Sequence, residues 1–422
     1  MATQLVYADV RGRIYDHPYL ELVGRSGRSF GRIPPDELIP LPPGSDLFVL
    51  PGRRPVGYDP RRRRLVTAGE RKDLPADAQA VAAFMAPAHT MRYLAAYQKL
   101  PRAPVLPLFA YTAVGWRAGR FWVAGWRSDP DLRQDLHLVD CTQVEQEVQV
   151  RLAAEPDNRL LQHLSHCALT YGCPAARNLF LRRWEAPLPT SPICNARCLG
   201  CLSQQKESAF PAPMQRITFI PSPQEIAGVA VPHLQQVPQA VASFGQGCEG
   251  EPLLQGPTLT AAVRLMRRQV SQGTINLNTN ASRPEIVAAL VEAGLDSIRV
   301  SLNSARPEFY RAYYRPQGYD FYDVAAAMQA AKTGGAKVAL NYLIFPGFSD
   351  LPAEVAALTE LIAQTGIDLI QLRNLNIDPD YYLNGIGWHE NQRPLGITQM
   401  VALLQKTFPR LRFGYFNPPW RG

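Results

Sequence analysis

The feature that most constrains the fold is a regular alternation of short apolar segments and amphipathic segments over residues 240–415. The sequence predicts strands at 240–244, 274–278, 297–301, 337–344, 369–372 and 412–415. Between them it predicts helices at 259–270, 284–293, 321–332, 354–364 and 398–408. Such alternation is typical of a parallel sheet with right-handed crossovers, so we expect an α/β fold, a partial (β/α)6 TIM-like barrel.

The N-terminal part of the chain has a different pattern. Tyr/Val-rich runs lie at 5–8, 47–50 and 121–124, a turn at 117–120 predicts a hairpin, and the pattern becomes helical over 144–181. We therefore expect an α+β accessory domain over 1–181 and a barrel domain over 182–422, with the proline-rich segment 185–192 near the boundary. Two domains agree with 422 residues at about 150 residues per domain.

Composition places the chain among ordinary globular proteins. Hydrophobic residues make up 46% and charged residues 19%, which does not favour disorder. No run of about 18 apolar residues occurs, and the N-terminus lacks a signal-peptide pattern. We expect a cytoplasmic protein without membrane association. The seven cysteines, an odd number, fit a reducing compartment better than a disulfide framework.

Three cysteines carry the strongest chemical signal. Cys194, Cys198 and Cys201 are spaced C-x-x-x-C-x-x-C. Iron–sulfur clusters of four irons usually take four thiolates, so three would leave one iron open. A structural zinc knuckle would instead need four ligands in paired C-x-x-C spacings, and no second C-x-x-C occurs here. The spacing alone leaves both a cluster and a zinc site open.

Polar residues follow several of the predicted strands. The carboxyl ends of parallel strands meet at one edge of the sheet, where function concentrates in barrel folds. Turn formation is the alternative explanation for Ser, Thr and Asn at strand ends. An amide inside an apolar strand needs a partner, because an unpaired buried polar group costs about 1–3 kcal/mol. The residues in question are Gly250, Glu251, Pro252, Thr279, Asn280, Ser301, Asn303 and, inside a strand, Asn341.

Residues 187–415 resemble the radical S-adenosylmethionine (radical SAM) superfamily. The resemblance rests on three motifs in this order along the chain: the cysteine turn, Gly250-Glu251-Pro252 and Val-Ser-Leu-Asn at 300–303. The resemblance implies a 4Fe-4S cluster on the three cysteines, with SAM on the open iron. It also implies that the Gly-Glu-Pro turn and the polar strand ends, with Thr279, Asn280, Ser301, Asn303 and Asn341, bind SAM.

The activity implied by the resemblance is that of an enzyme. In that superfamily the reduced cluster cleaves SAM to a 5′-deoxyadenosyl radical, which abstracts hydrogen from a substrate. The electron comes from an external donor of the flavodoxin or ferredoxin type. The substrate of this chain is unknown from its sequence.

Two departures from the family pattern are visible. Gly200 stands before the third cysteine, where the family usually has an aromatic residue near adenine, so adenine must be supported otherwise. No cysteine follows Cys248, which argues against the auxiliary clusters of peptide-modifying and molybdopterin-forming members.

Polar density after the strand at 369–372 predicts a substrate wall. It comprises Gln371, Arg373, Asn374, Asn376 and Asp378, and Arg299 and Arg315 are further candidates. Arg373 is suited to bind a carboxylate or phosphate through two hydrogen bonds. Cys248 lies beside the Gly-Glu-Pro turn and is either a thiol that returns a hydrogen atom or a small residue in a tight turn. Cys248 and Arg373 are the candidate catalytic residues.

Three upstream cysteines form a possible second metal site. Cys141, Cys167 and Cys173 precede the cluster turn, with His163 and His166 nearby. Buried, unliganded thiols are the alternative, because free cysteine is often buried.

The net charge of +8 is concentrated partly in Arg61 to Arg64. Such a run suits nucleic acid phosphates, so RNA modification is one alternative within the enzyme class, but a solvated turn explains the run more simply. The alternative from another class is a non-catalytic iron–sulfur or zinc protein.

Overall fold

The computed structural model describes residues 2–133, 135–203, 209–389 and 392–421. Contacts between Cα atoms divide the chain into two compact units. The first contains residues up to 130 together with 343–357 and 372–409, and the second contains 131–342, 358–371 and 410–422. These units are defined in space, whereas the boundary at residue 181 is drawn along the chain and stays a prediction.

The first unit is built on an antiparallel sheet of 13 strands. The predicted hairpin is present, because β12 and β13 pair with Arg117 opposite Arg120. Ala118 and Gly119 have φ of 50° and 77°, as a two-residue hairpin turn of type I′ requires. The strands are β1 Gln4–Ala8, β2 Ile14–Ser26, β3 Ser29–Arg32, β4 Leu38–Pro40, β5 Asp46–Leu50, β6 Arg53–Asp59, β7 Arg64–Thr67, β8 Gln79–Phe84, β9 His89–Met91, β10 Leu94–Ala95, β11 Tyr97–Lys99, β12 Val114–Arg117 and β13 Arg120–Arg127.

Three helices follow this sheet in the chain, where the sequence predicts helical structure. They are α1 Cys141–Ala154, α2 Arg159–Leu169 and α3 Pro174–Phe180. Asp140 and Asn158 cap α1 and α2 by accepting hydrogen bonds from backbone amides of the first turn. Short 3₁₀ segments lie at Pro35–Glu37, Leu136–Leu138 and Pro252–Gln255.

A seven-stranded parallel sheet occupies the C-terminal half, with its strands in chain order. Its strands are β14 Glu185–Leu188, β15 Val241–Phe244, β16 Thr274–Thr279, β17 Ser297–Leu302, β18 Lys337–Ile344, β19 Leu369–Asn374 and β20 Arg412–Gly414. The helices are α4 Pro223–Gln236, α5 Gly256–Gln269, α6 Pro284–Ala293, α7 Pro307–Tyr314, α8 Phe321–Thr333, α9 Pro352–Thr365, α10 Pro379–Gly385 and α11 Ile397–Thr407. The predicted α/β class, the parallel sheet and a preceding sheet domain are confirmed.

The sheet has one strand more than the six predicted from the sequence. The proline-rich segment forms β14, which pairs with β15 alone at the edge of the sheet. Pro187 has no N–H to donate, and an edge strand tolerates such a residue. Helix α4 is also additional. Ser222, Pro223 and Glu225 begin it with a capping box and a proline at the first turn.

Candidate active site

The cysteine turn lies between β14 and α4 and is held by the end of α7. The backbone amides of Arg197 and Leu199 donate to the carbonyls of Tyr314 and Tyr313, both at 2.9 Å. The amide of Gln317 donates to the carbonyl of Asn195 at 2.8 Å. Backbone bonds on both sides of Cys198 therefore fix the path of the turn.

Cys194, Cys198 and Cys201 are all partly buried. Burial raises the pKa of Cys194 to about 11 and raises that of Cys198 further above its usual value. A buried thiolate is stable only beside positive charge, which metal ions supply. The three thiols thus suit a metal centre rather than free reactive cysteines.

The Gly250-Glu251 turn packs directly on the residues that precede Cys194. The Gly250 amide donates to the Ser191 carbonyl at 2.7 Å, and the Glu251 amide donates to the Ile193 carbonyl at 2.9 Å. A Cβ atom at position 250 would lie 1.9 Å from the Ile193 oxygen. Only glycine allows this close approach.

The Glu251 side chain joins this turn to the end of β16. Its carboxylate accepts hydrogen bonds from the Thr279 hydroxyl at 2.5 Å and from the Asn280 amide at 2.8 Å. Burial raises the pKa of Glu251 to about 7. The carboxylate therefore positions the turn, and the role of Gly250, Glu251 and Pro252 in binding SAM stays a prediction.

A second buried carboxylate braces the same turn. Glu249 accepts hydrogen bonds from the backbone amides of Thr190, Ser191 and Gln246, at 2.7, 2.9 and 2.7 Å. Burial raises its pKa to about 7 as well. Sequence reasoning missed Glu249, although its place inside the Cys-Glu-Gly-Glu segment was a usable signal.

Asn280 links the strand end to the cysteine turn. Its Nδ2 donates to Asn195 Oδ1 at 2.8 Å, and Asn195 Nδ2 donates to Ser282 Oγ at 3.0 Å. Thr279 and Asn280 thus lie beside both the Gly-Glu turn and the cysteine turn. The structure brings these sequence-predicted residues together.

Ser301 and Asn341 form a second polar pair, on neighbouring strands β17 and β18. Asn341 Nδ2 donates to Ser301 Oγ at 3.3 Å. Among the described residues, Asn341 Oδ1 is buried and has no hydrogen-bond partner. Such an acceptor is available to a ligand donor. Asn303 instead donates to the Phe309 carbonyl at 3.3 Å and so holds α7.

A network of hydrogen-bonded polar side chains, here called the polar floor, lies on the parallel sheet. Asn417 is bonded to Gln371, Glu185, Ser243 and Asn278, which lie on four different strands. The remaining members of the network are Asn276 with Ser243 and Asn278, Ser297 with Asn276, and Arg299 with Gln371. The alternation of Asn276 and Asn278 with apolar residues in β16 was the signal that sequence reasoning missed.

The predicted substrate wall is divided by the structure. Gln371 belongs to the polar floor. Asp378 is instead buried, pairs with Arg53 at 2.5 Å and caps α10. The Asn374 side chain is hydrogen-bonded to the backbone of β9. It accepts from the Met91 amide at 2.8 Å and donates to the His89 carbonyl at 3.0 Å. These contacts explain part of the polar density structurally, while Arg373, half-buried, stays a candidate.

The backbone at Pro346 and Gly347, just after β18, already has partners. The Pro346 carbonyl accepts from the Gly27 amide at 2.8 Å. The Gly347 amide donates to Asp350 Oδ1 at 2.6 Å. These two groups are therefore occupied within the first unit.

The upstream cysteines are not brought together as a set. Cys141 begins α1 and is exposed. The compact ligand group in the described part of the chain is His163, Cys167 and Cys248, with all ligand atoms within 4.8 Å. The hydrogen bond between Cys248 and Cys167 lowers the pKa of Cys167 to about 5 and raises that of Cys248. Cys248, a candidate hydrogen-atom donor, is buried against Cys167.

The arginine run lies in the turn between β6 and β7. Asp59 accepts hydrogen bonds from the amides of Arg61 and Arg62 at 3.0 and 3.1 Å. Arg61 also stacks over the ring of Tyr19 at 4.9 Å. The solvated-turn explanation accounts for these contacts. No helix in the described residues is long and apolar enough to cross a membrane.

Residues 188–359 match the family model of the radical SAM superfamily. Curated GTP 3′,8-cyclases are similar in sequence. The protein from Ectopseudomonas mendocina (strain ymp) is 29% identical over 184 residues, covering 43% of this chain and 51% of the relative. The protein from Streptomyces coelicolor is 28% identical over 163 residues, covering 37% and 43%. The chain spans about half the length of these relatives.

Solved structures show a weaker likeness. A methylornithine synthase has a TM-score of 0.39 at 14% identity, covering 65% of this chain and 77% of the other. A radical SAM methyltransferase from Sphaerobacter thermophilus has a TM-score of 0.38 at 14% identity, covering 54% and 66%. Scores below 0.5 do not establish a common fold, so the assignment depends on the family match and the parallel sheet.

The matched region contains the cysteine turn, the Gly250-Glu251 turn and strands β15 to β18. In the structure the Gly250-Glu251 turn packs on the residues that precede the first of the three cysteines. We conclude that residues 188–359 form a domain of the radical SAM superfamily, whose cofactors are a 4Fe-4S cluster and S-adenosylmethionine.

Proposed function

We propose that this chain is an enzyme that uses a 4Fe-4S cluster on Cys194, Cys198 and Cys201 to cleave SAM reductively. Held by these three thiolates, a reduced cluster would supply the one electron needed to break the C5′–S bond of SAM, which would give methionine and a 5′-deoxyadenosyl radical able to abstract a hydrogen atom from substrate. An external donor of the flavodoxin or ferredoxin type supplies the electron.

One observation carries the proposal. The Gly250-Glu251 turn is hydrogen-bonded to Ser191 and Ile193, immediately before the first cluster cysteine. A turn held there would offer backbone carbonyls close to a cluster bound by the three cysteines, and the ammonium of methionine needs such oxygen acceptors. Neutral donors alone bond Glu249 and Glu251 within the described residues, so neither carboxyl has an Arg or Lys side chain as its partner there.

The protein's own groups would orient SAM. Asn341 Oδ1 is a buried acceptor without a partner in the described part of the chain, and it suits an adenine amino group or a ribose hydroxyl. Ser301, bonded to Asn341, belongs to the same surface. The Thr279 hydroxyl and the Asn280 backbone amide hold Glu251 of the Gly-Glu turn, and the Asn280 side chain is bonded to Asn195 of the cysteine turn, so neither side chain is free.

For the substrate we propose a small polar molecule with an anionic group. The similar proteins named GTP 3′,8-cyclase carry such a substrate in their name, but the match spans only about half their length. The support from this chain is its polar floor, where the Arg299 guanidinium donates to Gln371 at 3.1 Å among amide side chains. An arginine beside amides favours a polar anion over an apolar substrate. Arg373 is the second candidate for this contact.

The decisive experiment is anaerobic reconstitution with iron and sulfide, followed by reduction in the presence of SAM. The wild-type chain should bind about four irons and produce 5′-deoxyadenosine. Cys198→Ala should lose both, because one corner of the cluster has no protein ligand. Cys141→Ser is the matched control and should retain both, since Cys141 is exposed at the start of α1.

Two results would contradict the proposal. One is a wild-type protein with a full complement of iron that produces no 5′-deoxyadenosine above the level of Cys198→Ala. The other is a single zinc bound at the cysteine turn and released by Cys198→Ala, which would favour the non-catalytic alternative.

A further inference from the structure

A second group of metal-ligand side chains lies outside the radical site. His163 and Cys167 are four residues apart on α2, so they project from the same side of the helix. Cys248 comes from the loop after β15, which also carries the Gly-Glu turn. Their three ligand atoms all lie within 4.8 Å of one another, and both cysteines are buried. The SAM reaction proposed above uses none of the three.

The spacing matches a single tetrahedral ion. Bonds of about 2.3 Å to sulfur and about 2.0–2.1 Å to nitrogen place the two ligand atoms about 3.5 Å apart at a tetrahedral angle. His163 Nε2 lies 3.5 Å from Cys167 Sγ. The two side chains therefore have the separation that a shared ion requires before any ion is bound.

The ligand types select a particular class of metal. Two sulfur atoms and an imidazole nitrogen suit zinc, whereas magnesium and calcium prefer oxygen ligands. A histidine beside two thiols also distinguishes the site from a plain cysteine pair. We propose that His163, Cys167 and Cys248 bind a zinc ion that fastens the SAM-binding turn to helix α2.

The consequence for function follows from the position of Cys248 in the chain. It lies two residues before Gly250, and its carbonyl accepts a hydrogen bond from the Ile217 amide at 2.8 Å. An ion on its sulfur would fix the loop that ends in the Gly-Glu turn. Metal coordination contributes folding free energy, so the ion orders this loop even without SAM.

The fourth ligand of a closed structural site has a candidate nearby. The Cys173 amide donates to the Cys167 carbonyl at 3.0 Å, which keeps the two residues adjacent at the start of α3. Structural zinc sites have four protein ligands, often three cysteines and one histidine. Cys173 is the candidate for that fourth position, although its sulfur is not among the ligand atoms that lie within 4.8 Å of one another. Cys141, exposed on α1, does not take part.

The test measures zinc in a full-length chain that cannot bind the cluster. In the Cys194→Ala/Cys198→Ala/Cys201→Ala variant, elemental analysis should still find about one zinc per chain. Adding Cys167→Ala or His163→Ala to that background should remove most of the zinc, whereas adding Cys141→Ser should not. This readout does not depend on SAM cleavage, so its failure and that of the proposed function are distinguishable.

Cobalt(II) provides a readout that does not rely on variants that fold poorly. Added to the zinc-depleted triple variant, cobalt should give the absorption of a tetrahedral ion with thiolate ligands, and zinc should displace it. Cys248→Ser should weaken the thiolate absorption, and Cys141→Ser should preserve it.

Three outcomes would overturn the proposal. They are a triple variant without zinc and without a cobalt spectrum, zinc that persists in both Cys167→Ala and His163→Ala, and a Cys167–Cys248 disulfide in protein purified under reducing conditions. The last would show that the two thiols are used for each other rather than for an ion.

Discussion

Buried charged side chains have different kinds of partner in the two compact units. In the first, two buried arginines pair with aspartates, and Asp350 is a buried carboxyl without a cationic partner in the described residues. Arg53 and Asp378 are fully buried and 2.5 Å apart, and Arg25 pairs with Asp380 at 2.6 Å. In the second, Glu249 and Glu251 are buried beside the cysteine turn, and within the described residues neither has an Arg or Lys partner.

This difference indicates which region is prepared for a ligand. A buried ion pair is complete within the protein, so it serves the fold. A buried carboxyl held by neutral donors has a raised pKa, and a cation bound nearby favours its charged form. The methionine ammonium and sulfonium of SAM, and the irons of the cluster, are such cations. In the second unit, Glu249 and Glu251 therefore mark the candidate active site, whereas the paired acids Asp378 and Asp380 of the first unit mark structural positions.

The largest expected effect is on the paired region. Asp378→Ala leaves the Arg53 guanidinium buried without its counter-ion, which should lower the free energy of unfolding by about 3–5 kcal/mol. Urea denaturation measures this change. Arg64→Ala is the control, because Arg64 is exposed and 3.5 Å from Glu70, and it should cost less than about 1 kcal/mol. Equal losses in both variants would remove the distinction between buried and exposed pairs.

Asp350 tests the comparison from within the first unit, because it is buried without a cationic partner in the described residues. It accepts hydrogen bonds from the amides of Gly347 and Gly396, and burial raises its pKa to about 6. A raised carboxyl pKa means that the native state retains the proton that the unfolded state loses. The free energy of unfolding should therefore decrease by up to about 3 kcal/mol as the pH rises from about 4 to about 6.

The measurement for Asp350 is the free energy of unfolding across that pH range in wild-type protein and in Asp350→Asn. The difference between the two curves isolates this group, because the amide does not titrate. A difference that does not change with pH would show that the two backbone donors fully compensate for burial.

Gly250→Ala tests the unpaired region. The added Cβ would lie 1.9 Å from the Ile193 carbonyl oxygen and 3.0 Å from the Cys194 nitrogen, so the turn or the cysteine segment must move. We expect 5′-deoxyadenosine formation to fall by about 100-fold, about 2.7 kcal/mol in activation free energy. Gly31→Ala is the control, because open space surrounds that position. Equal activity in the two variants would show that the close approach is not needed.

The sequence predicted the elements that have local signals. Gly294 ends α6 in the left-handed conformation that its position before a strand suggests, with φ of 111°. The edge strand β14 was missed because its partner lies more than 50 residues away and Pro187 argues against a strand. The sequence named His163 and Cys167 as candidates for a second metal site, but it missed Cys248 as their partner, since only the fold brings α2 to the loop after β15.

The predicted substrate wall shows that polar residues with similar positions in the sequence can have different roles in the fold. Gln371 and Asp378 look alike in the sequence, as polar residues after an apolar strand. The fold places Gln371 against Asn417 and Asp378 against Arg53. Tertiary partners decide which polar residue serves a site, and composition does not contain that information.

The smallest expected effect concerns Asn341. Its Oδ1 is buried without a partner in the described residues, so Asn341→Ala removes an unsatisfied acceptor and should leave the stability of the SAM-free protein unchanged or slightly higher. If this oxygen accepts a hydrogen bond from SAM, the Kd for SAM should rise by about 5- to 10-fold, about 1 kcal/mol. Asn384→Ala is the control, because its amide oxygen already accepts from Arg28 at 2.9 Å. A loss of stability in Asn341→Ala with an unchanged Kd would assign the amide to the fold and weaken the distinction between the two units.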